Sequence, residues 1–181
     1  STMKMRLLRD DSALYVGLKV VDTAIVAVCS TGTAIDGDEM IEMHMAPDSK
    51  NYDYFYYLEH NLNLIRRHGF RHSQFSGKND WKVDWPLSHN VQIGVTLQGT
   101  PNDALTDIGW TEELRIPFSS VAGWQTAQQS APVGWSPKSP PLANSVWRFN
   151  LCRQNQNYSK DTASDWTIWN HNGNYPYGLT G

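Results

Sequence analysis

Apolar residues recur at every second position along several short stretches of the chain, the pattern of strands with one buried and one wet face. In Ala13–Val20, Leu14, Val16, Leu18 and Val20 alternate with Ala13, Tyr15, Gly17 and Lys19. Val91, Ile93, Val95 and Leu97 alternate with Gln92, Gly94, Thr96 and Gln98, and Trp147, Phe149 and Leu151 with Arg148, Asn150 and Cys152. In Met40–Met45 the alternation is less clean, with Ile41, Met43 and Met45 opposite Met40, Glu42 and His44. Turn-forming clusters separate these stretches: Thr31-Gly32-Thr33, Asp36-Gly37-Asp38, Ala46-Pro47-Asp48-Ser49 and Gln98-Gly99-Thr100-Pro101-Asn102. No segment sustains a 3.6-residue apolar period, and the nearest candidate is a short helical turn around Ser119–Trp124. Short strands punctuated by close turns predict an all-β fold, an antiparallel, jelly-roll-like β-sandwich. Between Trp124 and Asn144, Pro132, Pro137, Pro140 and Pro141 stand among Ser, Gln and Gly. This is poor strand material and predicts a long Pro-rich surface loop inside the domain, because strand-like sequence resumes at Val146.

A length of 181 residues suits one such domain spanning the whole chain and permits a core that needs no staple. The aromatic content adds to the picture, with 8 Trp and 8 Tyr beside 5 Phe. Trp and Tyr combine a flat apolar face with a polar tip, which suits half-wet binding surfaces, although many of them fill cores. The net charge of -3, from 15 basic and 18 acidic residues, excludes an electrostatic attraction to nucleic acid or anionic membrane as the main interaction. One local cluster runs against that balance, Arg66-Arg67-His68 followed by Arg71-His72, which reads as a solvated hairpin or loop or as the source of one ligand-facing cation. No apolar run approaches a membrane span, so membrane insertion is not expected. Cys29 and Cys152 permit one disulfide without implying it.

Candidate catalytic chemistry is sparse. Glu42, Glu59 and Glu113 are present, but nothing in their spacing pairs two carboxylates across a cleft as glycoside hydrolysis requires. No nucleophile elbow, phosphate loop or zinc helix occurs. The histidines His44, His60, His68, His72, His89 and His171 lack paired metal spacing. Asp36, Asp38, Glu39, Asp48, Asp103 and Asp107 fall in turns, and oxygen-rich turns suit calcium, so the sequence leaves room for a structural ion while requiring no cofactor.

Several strips, in order, carry a family resemblance. They are Leu14-Tyr15-Val16-Gly17-Leu18-Lys19-Val20-Val21-Asp22, then Glu39-Met40-Ile41-Glu42-Met43-His44-Met45-Ala46-Pro47-Asp48, then Tyr56-Tyr57-Leu58-Glu59-His60-Asn61. The most specific is Asp107-Ile108-Gly109-Trp110-Thr111-Glu112-Glu113-Leu114-Arg115-Ile116-Pro117-Phe118, followed by Trp147-Arg148-Phe149-Asn150-Leu151-Cys152-Arg153 and Tyr175-Pro176-Tyr177-Gly178. Together they resemble the family 9 carbohydrate-binding modules, sandwiches related to the DOMON domains. The resemblance covers most of Leu14 to Gly181, and it leaves the family's first strands abbreviated or supplied by another part of a parent protein. It implies non-catalytic binding of an oligo- or polysaccharide by a secreted, periplasmic or cell-surface protein with further domains.

A pyranose ring stacks its C–H face on an aromatic side chain, while its hydroxyls take donors and acceptors such as Glu, Asn and Arg. In this family two tryptophans sandwich the terminal sugar. Carried over by position, the resemblance gives Trp169 or Trp166 as the C-terminal clamp. It gives Glu42 or the neighbouring Glu39 as the acidic group, and Arg66 and Asn61 as further contacts. The other clamp has no counterpart, since Thr31–Glu39 contains no aromatic residue. Trp81, Trp85 and Trp135 are the candidates to replace it. Trp110 and Trp147 are expected in the core, and Glu113 is expected as a structural hydrogen-bonding residue. The same sandwich also serves haem-binding domains related to the cytochrome of cellobiose dehydrogenase, with Met and His as axial ligands. Met40, Met43 and Met45 beside His44, with His171, would supply that pair. A ligand-free structural or interaction domain is the third reading.

Overall fold

The computed structural model describes residues 2–32, 35–48, 50–51, 54–72, 81–103, 105–122, 131, 133–135, 137–156 and 165–168. Ten strands are present among them: β1 (Thr2–Arg9), β2 (Ala13–Val21), β3 (Met40–Ala46), β4 (Tyr54–Asn61), β5 (Arg66–His72), β6 (Trp81–Val83), β7 (Gln92–Gln98), β8 (Gly109–Pro117), β9 (Arg148–Asn155) and β10 (Asp165–Ile168). They form two antiparallel sheets, a four-stranded one ordered β1-β2-β8-β7 and a six-stranded one ordered β10-β9-β3-β4-β5-β6. This is the expected all-β sandwich. The only helical turns among the described residues are short 3-10 turns at Pro86–Asn90 and Phe118–Ser120, the second at the start of the expected helical turn.

The alternation read from the sequence is what closes the sandwich. Val16, Leu18, Val20, Trp110, Leu114 and Ile116 enter the interior from the four-stranded sheet. Ile41, Met43, Met45, Tyr56, Leu58, Phe70 and Leu151 meet them from the six-stranded sheet. Strand β3 lies between β4 and β9 and is buried along its whole length, on both of its faces.

At one end of the interior the contact between the sheets is ionic. Arg153 on β9 is fully buried, and its Nη2 donates to Asp22, just beyond β2, and to Glu39, just before β3, at 2.7 Å from the latter. The guanidinium also lies 6.0 Å from the ring centroid of buried Trp110. Beside it, His60 Nε2 on β4 lies 2.9 Å from Glu112 Oε1 on β8, with neither side chain exposed. Each sheet therefore contributes charge to the same buried layer.

The Asp107-Ile108-Gly109-Trp110 strip owes its composition to close packing. Gly109 has φ +136°, and a Cβ there would collide with the Val20 carbonyl of the neighbouring strand. The Asp107 carboxylate accepts from the backbone N–H groups of Ile25 and Thr100, both at 2.8 Å, and so fixes two loops.

Two strands depart from the sequence expectation. β1 pairs with β2 along its full length, in a stretch where Met3, Met5 and Leu7 alternate with Lys4, Arg6 and Leu8. Among the described residues nothing pairs with its other edge. The basic cluster read as a hairpin or loop is instead strand β5, with Phe70 in the core. Basic side chains on a strand reach water on alternate positions, so the cluster needs no loop to remain solvated.

Arg153→Ala would leave Asp22 and Glu39 buried without their shared cation, a loss on the order of 3–5 kcal/mol for a broken buried pair. Urea unfolding at neutral pH should show that deficit, with the m-value unchanged.

Candidate functional site

The same alternation that sends Ile41, Met43 and Met45 into the core sends Glu42 and His44 to the outer face of the six-stranded sheet. Strand register extends this face sideways. Glu42 lies opposite Glu59 on β4 and Cys152 on β9, and Glu59 lies opposite Arg67 on β5. His44 lies opposite Tyr57 and Asn150 in the next row. Beyond them stand Ala46 opposite Arg148, and Phe55 opposite Arg71.

The polar groups on this face hold one another. His44 Nε2 lies 2.7 Å from Glu42 Oε1, and both side chains are buried, with 1% and 3% of their surface exposed. The His44 ring tilts against Phe55, with centroids 5.1 Å apart. Arg67 donates from Nε to Glu59 at 2.5 Å and from its terminal nitrogens to Asp36 at 2.9 and 2.6 Å. The Arg67 hydrogen bonds hold the Asp36 carboxyl below its ordinary value. Burial, reinforced by the Glu59 charge, pushes the Tyr57 phenol up. Burial likewise raises the Cys152 thiol, with Glu42 adding to the effect. The face thus carries carboxylate, imidazole, phenol, amide and guanidinium groups beside Ala46, Phe55 and Cys152, with Tyr57 and Arg67 half-buried and Glu42, His44 and Asn150 buried. Glu42 and Glu59 are neighbours on adjacent strands, and each already has a cationic or imidazole partner on its own face.

Of the residues singled out from the sequence, Glu42 belongs to this face and Arg66 does not. Arg66 is one residue out of phase, directed to the interior side, where its Nη1 donates to the Val91 carbonyl at 2.9 Å. Arg67 takes the outward position instead, because a step of one residue on a strand reverses the face. Asn61 is fully buried and ties down a loop. Its Nδ2 donates to the Cys29 carbonyl and to Asp38, each at 2.7 Å, and its Oδ1 accepts from the Ile65 N–H. Trp166 pairs through its backbone with Gln154 at the β9 edge, and its side chain lies outside the described residues. Trp169 lies outside them altogether.

Neither described substitute for the absent clamp is exposed. Trp85 is fully buried, with Nε1 donating to the Ser120 carbonyl at 2.8 Å. Trp135 packs edge-on against Phe70 and Tyr54. Trp81 sits in β6, with its side chain outside the described residues. In β8 the roles expected for Glu113 fall to its neighbour: Glu112 is the buried hydrogen-bonding group, and Glu113 is exposed on the opposite face. From the sequence, His44 was named only as a haem ligand and Arg67 only within the basic cluster, while Tyr57 and Asn150 were given no role. Counting by twos from Glu42 and Glu59 picks out His44 and Tyr57 within their own strands. Arg67 and Asn150 require the register across a turn and between distant strands, which no local pattern contains.

The acidic turns act on the chain's own donors. Asp38 accepts from the N–H groups of Val28 and Cys29, both at 2.9 Å, and Asp48 and Asp103 accept from backbone N–H groups two residues on. Among the described residues no three His, Cys, Asp or Glu side chains converge as a metal site. Met43 and Met45 fill the core on the opposite side of the sheet from His44, so these neighbours do not form a Met–His pair, and His171 lies outside the described residues.

No protein-family model matches the sequence, and no curated protein sequence matches it. Solved structures that share the fold include the following. A candidate carbohydrate-binding protein from Bacteroides uniformis aligns over 92% of this chain and 68% of its own, with a TM-score of 0.59 and 16% identity. A family 9 carbohydrate-binding module from Caldicellulosiruptor kristjanssonii was solved with cellotriose and with glucose. Both of its structures align over 92% of this chain with a TM-score of 0.53, at 15% and 16% identity. The chain spans 63% and 64% of that module's length in the two structures.

Glu39 stands apart from the outer face, in the ionic layer between the sheets. Arg153 donates to its Oε2, and the Gln156 N–H donates to its Oε1 at 2.9 Å. Burial raises its carboxyl from 4.5 to about 7, against the pull of Arg153. Folding therefore takes up a proton at this group. The resulting stability is fully present below 4.5 and is lost as the pH rises through about 7. Glu39→Gln removes that titration. Between about pH 5 and about pH 8, the melting temperature of the wild type should fall relative to the variant. Parallel melting curves across that range would show that Glu39 does not carry the proton.

Proposed function

We propose that this domain, which has the fold of the family 9 carbohydrate-binding modules, binds carbohydrate on the outer face of its six-stranded sheet without transforming it. The observation that carries the reading is the row of polar side chains around Glu42 on that face, in a fold whose solved relatives include a module in complex with cellotriose and glucose. Vicinal hydroxyls need paired donors and acceptors at fixed spacing, which Glu42 and His44 on β3, Asn150 on β9 and Arg67 on β5 supply. The stacking surface is Trp169, one residue beyond β10, or Trp166 within it. Because Asn61 and Glu39 are committed to internal hydrogen bonds, they act through the shape of the loops and the sheet contact rather than as sugar ligands.

The reading places the chain as a binding module of an exported or cell-surface protein acting on polysaccharide, with any catalysis in other domains.

Titration calorimetry with cello-oligosaccharides, guided by a glycan array, tests the reading. Trp169→Ala should lower affinity at least about 10-fold, the loss expected for a stacked aromatic anchor, without moving the melting temperature. Unchanged affinity in that variant and in Trp166→Ala would remove both from the site. An array on which the wild type retains no glycan would end the carbohydrate reading. A Soret band in the purified protein would replace it with haem.

A further inference from the structure

We propose a second binding site, for a small apolar carboxylate, at the open side of the sandwich beneath β1. A hollow of about 340 Å³ lies there, at the small end of the range of roughly 300–1,000 Å³ usual for small-molecule pockets. Its walls are Leu7, Leu14, Met45, Phe118, Trp147 and Phe149. They come from both sheets and the segment before β9, so the hollow belongs to the packing of the sandwich and not to a single loop. Phe118 and Trp147 meet edge to face, with centroids 5.5 Å apart, which fixes one wall. Leu7 and Leu142 line the hollow although they are 42% and 65% exposed, so apolar surface continues outward to its mouth.

The polar lining groups are few: Arg9, Asn144 and Ser145. That inventory decides the ligand class. A monosaccharide would bring hydroxyls on every side against walls that cannot pair them, and unpaired buried hydroxyls are unfavourable. An apolar body with one acceptor group at the rim leaves nothing unmatched. Arg9 is the only charged residue of the lining, and among the described residues it has no ion-pair partner. Its fork of donors matches a carboxylate in geometry as well as in sign. The site takes an aliphatic or aromatic acid, with the carboxylate on Arg9 and the hydrocarbon part against Trp147 and Phe149.

This site lies on the interior side of β1 and shares no residue with the row around Glu42, so the two proposals stand or fall separately. Titration calorimetry on the full chain would use octanoate and cinnamate, with octanol and octyltrimethylammonium as neutral and cationic counterparts. Both acids should bind saturably at one site. Arg9→Gln should weaken them about tenfold, the equivalent of one lost charge-assisted hydrogen bond, while leaving octanol within about twofold. Leu142→Asp, at an exposed position that the fold does not depend on, should also weaken the acids. No saturable binding of either acid, or equal affinity for the acid and the cation, would overturn the proposal. So would concentration-dependent dimerisation abolished by Leu142→Asp, which would assign the hollow to a second copy of the chain. Cello-oligosaccharide affinity should be the same in the wild type and Arg9→Gln.

Discussion

The guanidinium of Arg153 sits where both sheets carry charge into their common interior. Asp22 follows the second strand of one sheet, Glu39 precedes the central strand of the other, and the same cation answers both. Apolar contact alone is non-directional and tolerates a slip between layers. A buried carboxylate is far less tolerant, because a shift that parts it from its cation leaves it both desolvated and unpaired. The ionic layer therefore does more to define how the sheets sit on each other than to hold them together. Its His60–Glu112 neighbour acts in the same sense from β4 and β8. With the sheets located, β3 has a single register, and that register decides which residues face inward and which face outward.

Strand β3 is where this matters most, since burial along its whole length leaves it no neutral face. Its odd positions build the core with Leu151 and Tyr56, and its even positions place Glu42 and His44 on the outer face. The side chains there are already engaged with one another before any ligand arrives. Glu42 is held by His44, and Arg67 by Glu59 and Asp36. Such a face meets a ligand with little side-chain freedom left to lose, which favours selectivity over adaptability.

Much of the sandwich was legible in the sequence because the alternation that predicts a half-buried strand is the alternation that fills the core. Val16, Leu18 and Val20, and Ile41, Met43 and Met45, occupy the side that their period assigned them. The strand Thr2–Arg9 carries the same signal in Met3, Met5 and Leu7, but the apolar Leu8 on its wet face blurs it. The cluster from Arg66 to His72 read as a loop because charge dominated the count, while the single Phe70 that anchors it passed unnoticed. For the outer face, sequence reached Glu42 and stopped there. Arg66 and Arg67 differ by one step in phase, and only pairing with β4 separates them. Trp85 and Trp135 looked like loop aromatics because their burial comes from Tyr56, Phe70 and Tyr54, partners remote in sequence.

The outer edge of β1 has a bearing on how copies of this protein behave toward one another. Among the described residues nothing pairs with that edge, and an open strand edge is a template for pairing with a neighbouring molecule, to which Leu8, 73% exposed, adds apolar surface. Lys4, Arg6 and Arg9 stand along that strand with no acidic residue among them. Two such edges approaching each other would bring like charges together before any ladder of hydrogen bonds could form. The strand thereby repels its own kind, most strongly at low salt, while staying open to an acidic one, and it does so with the same eight residues that complete the sheet.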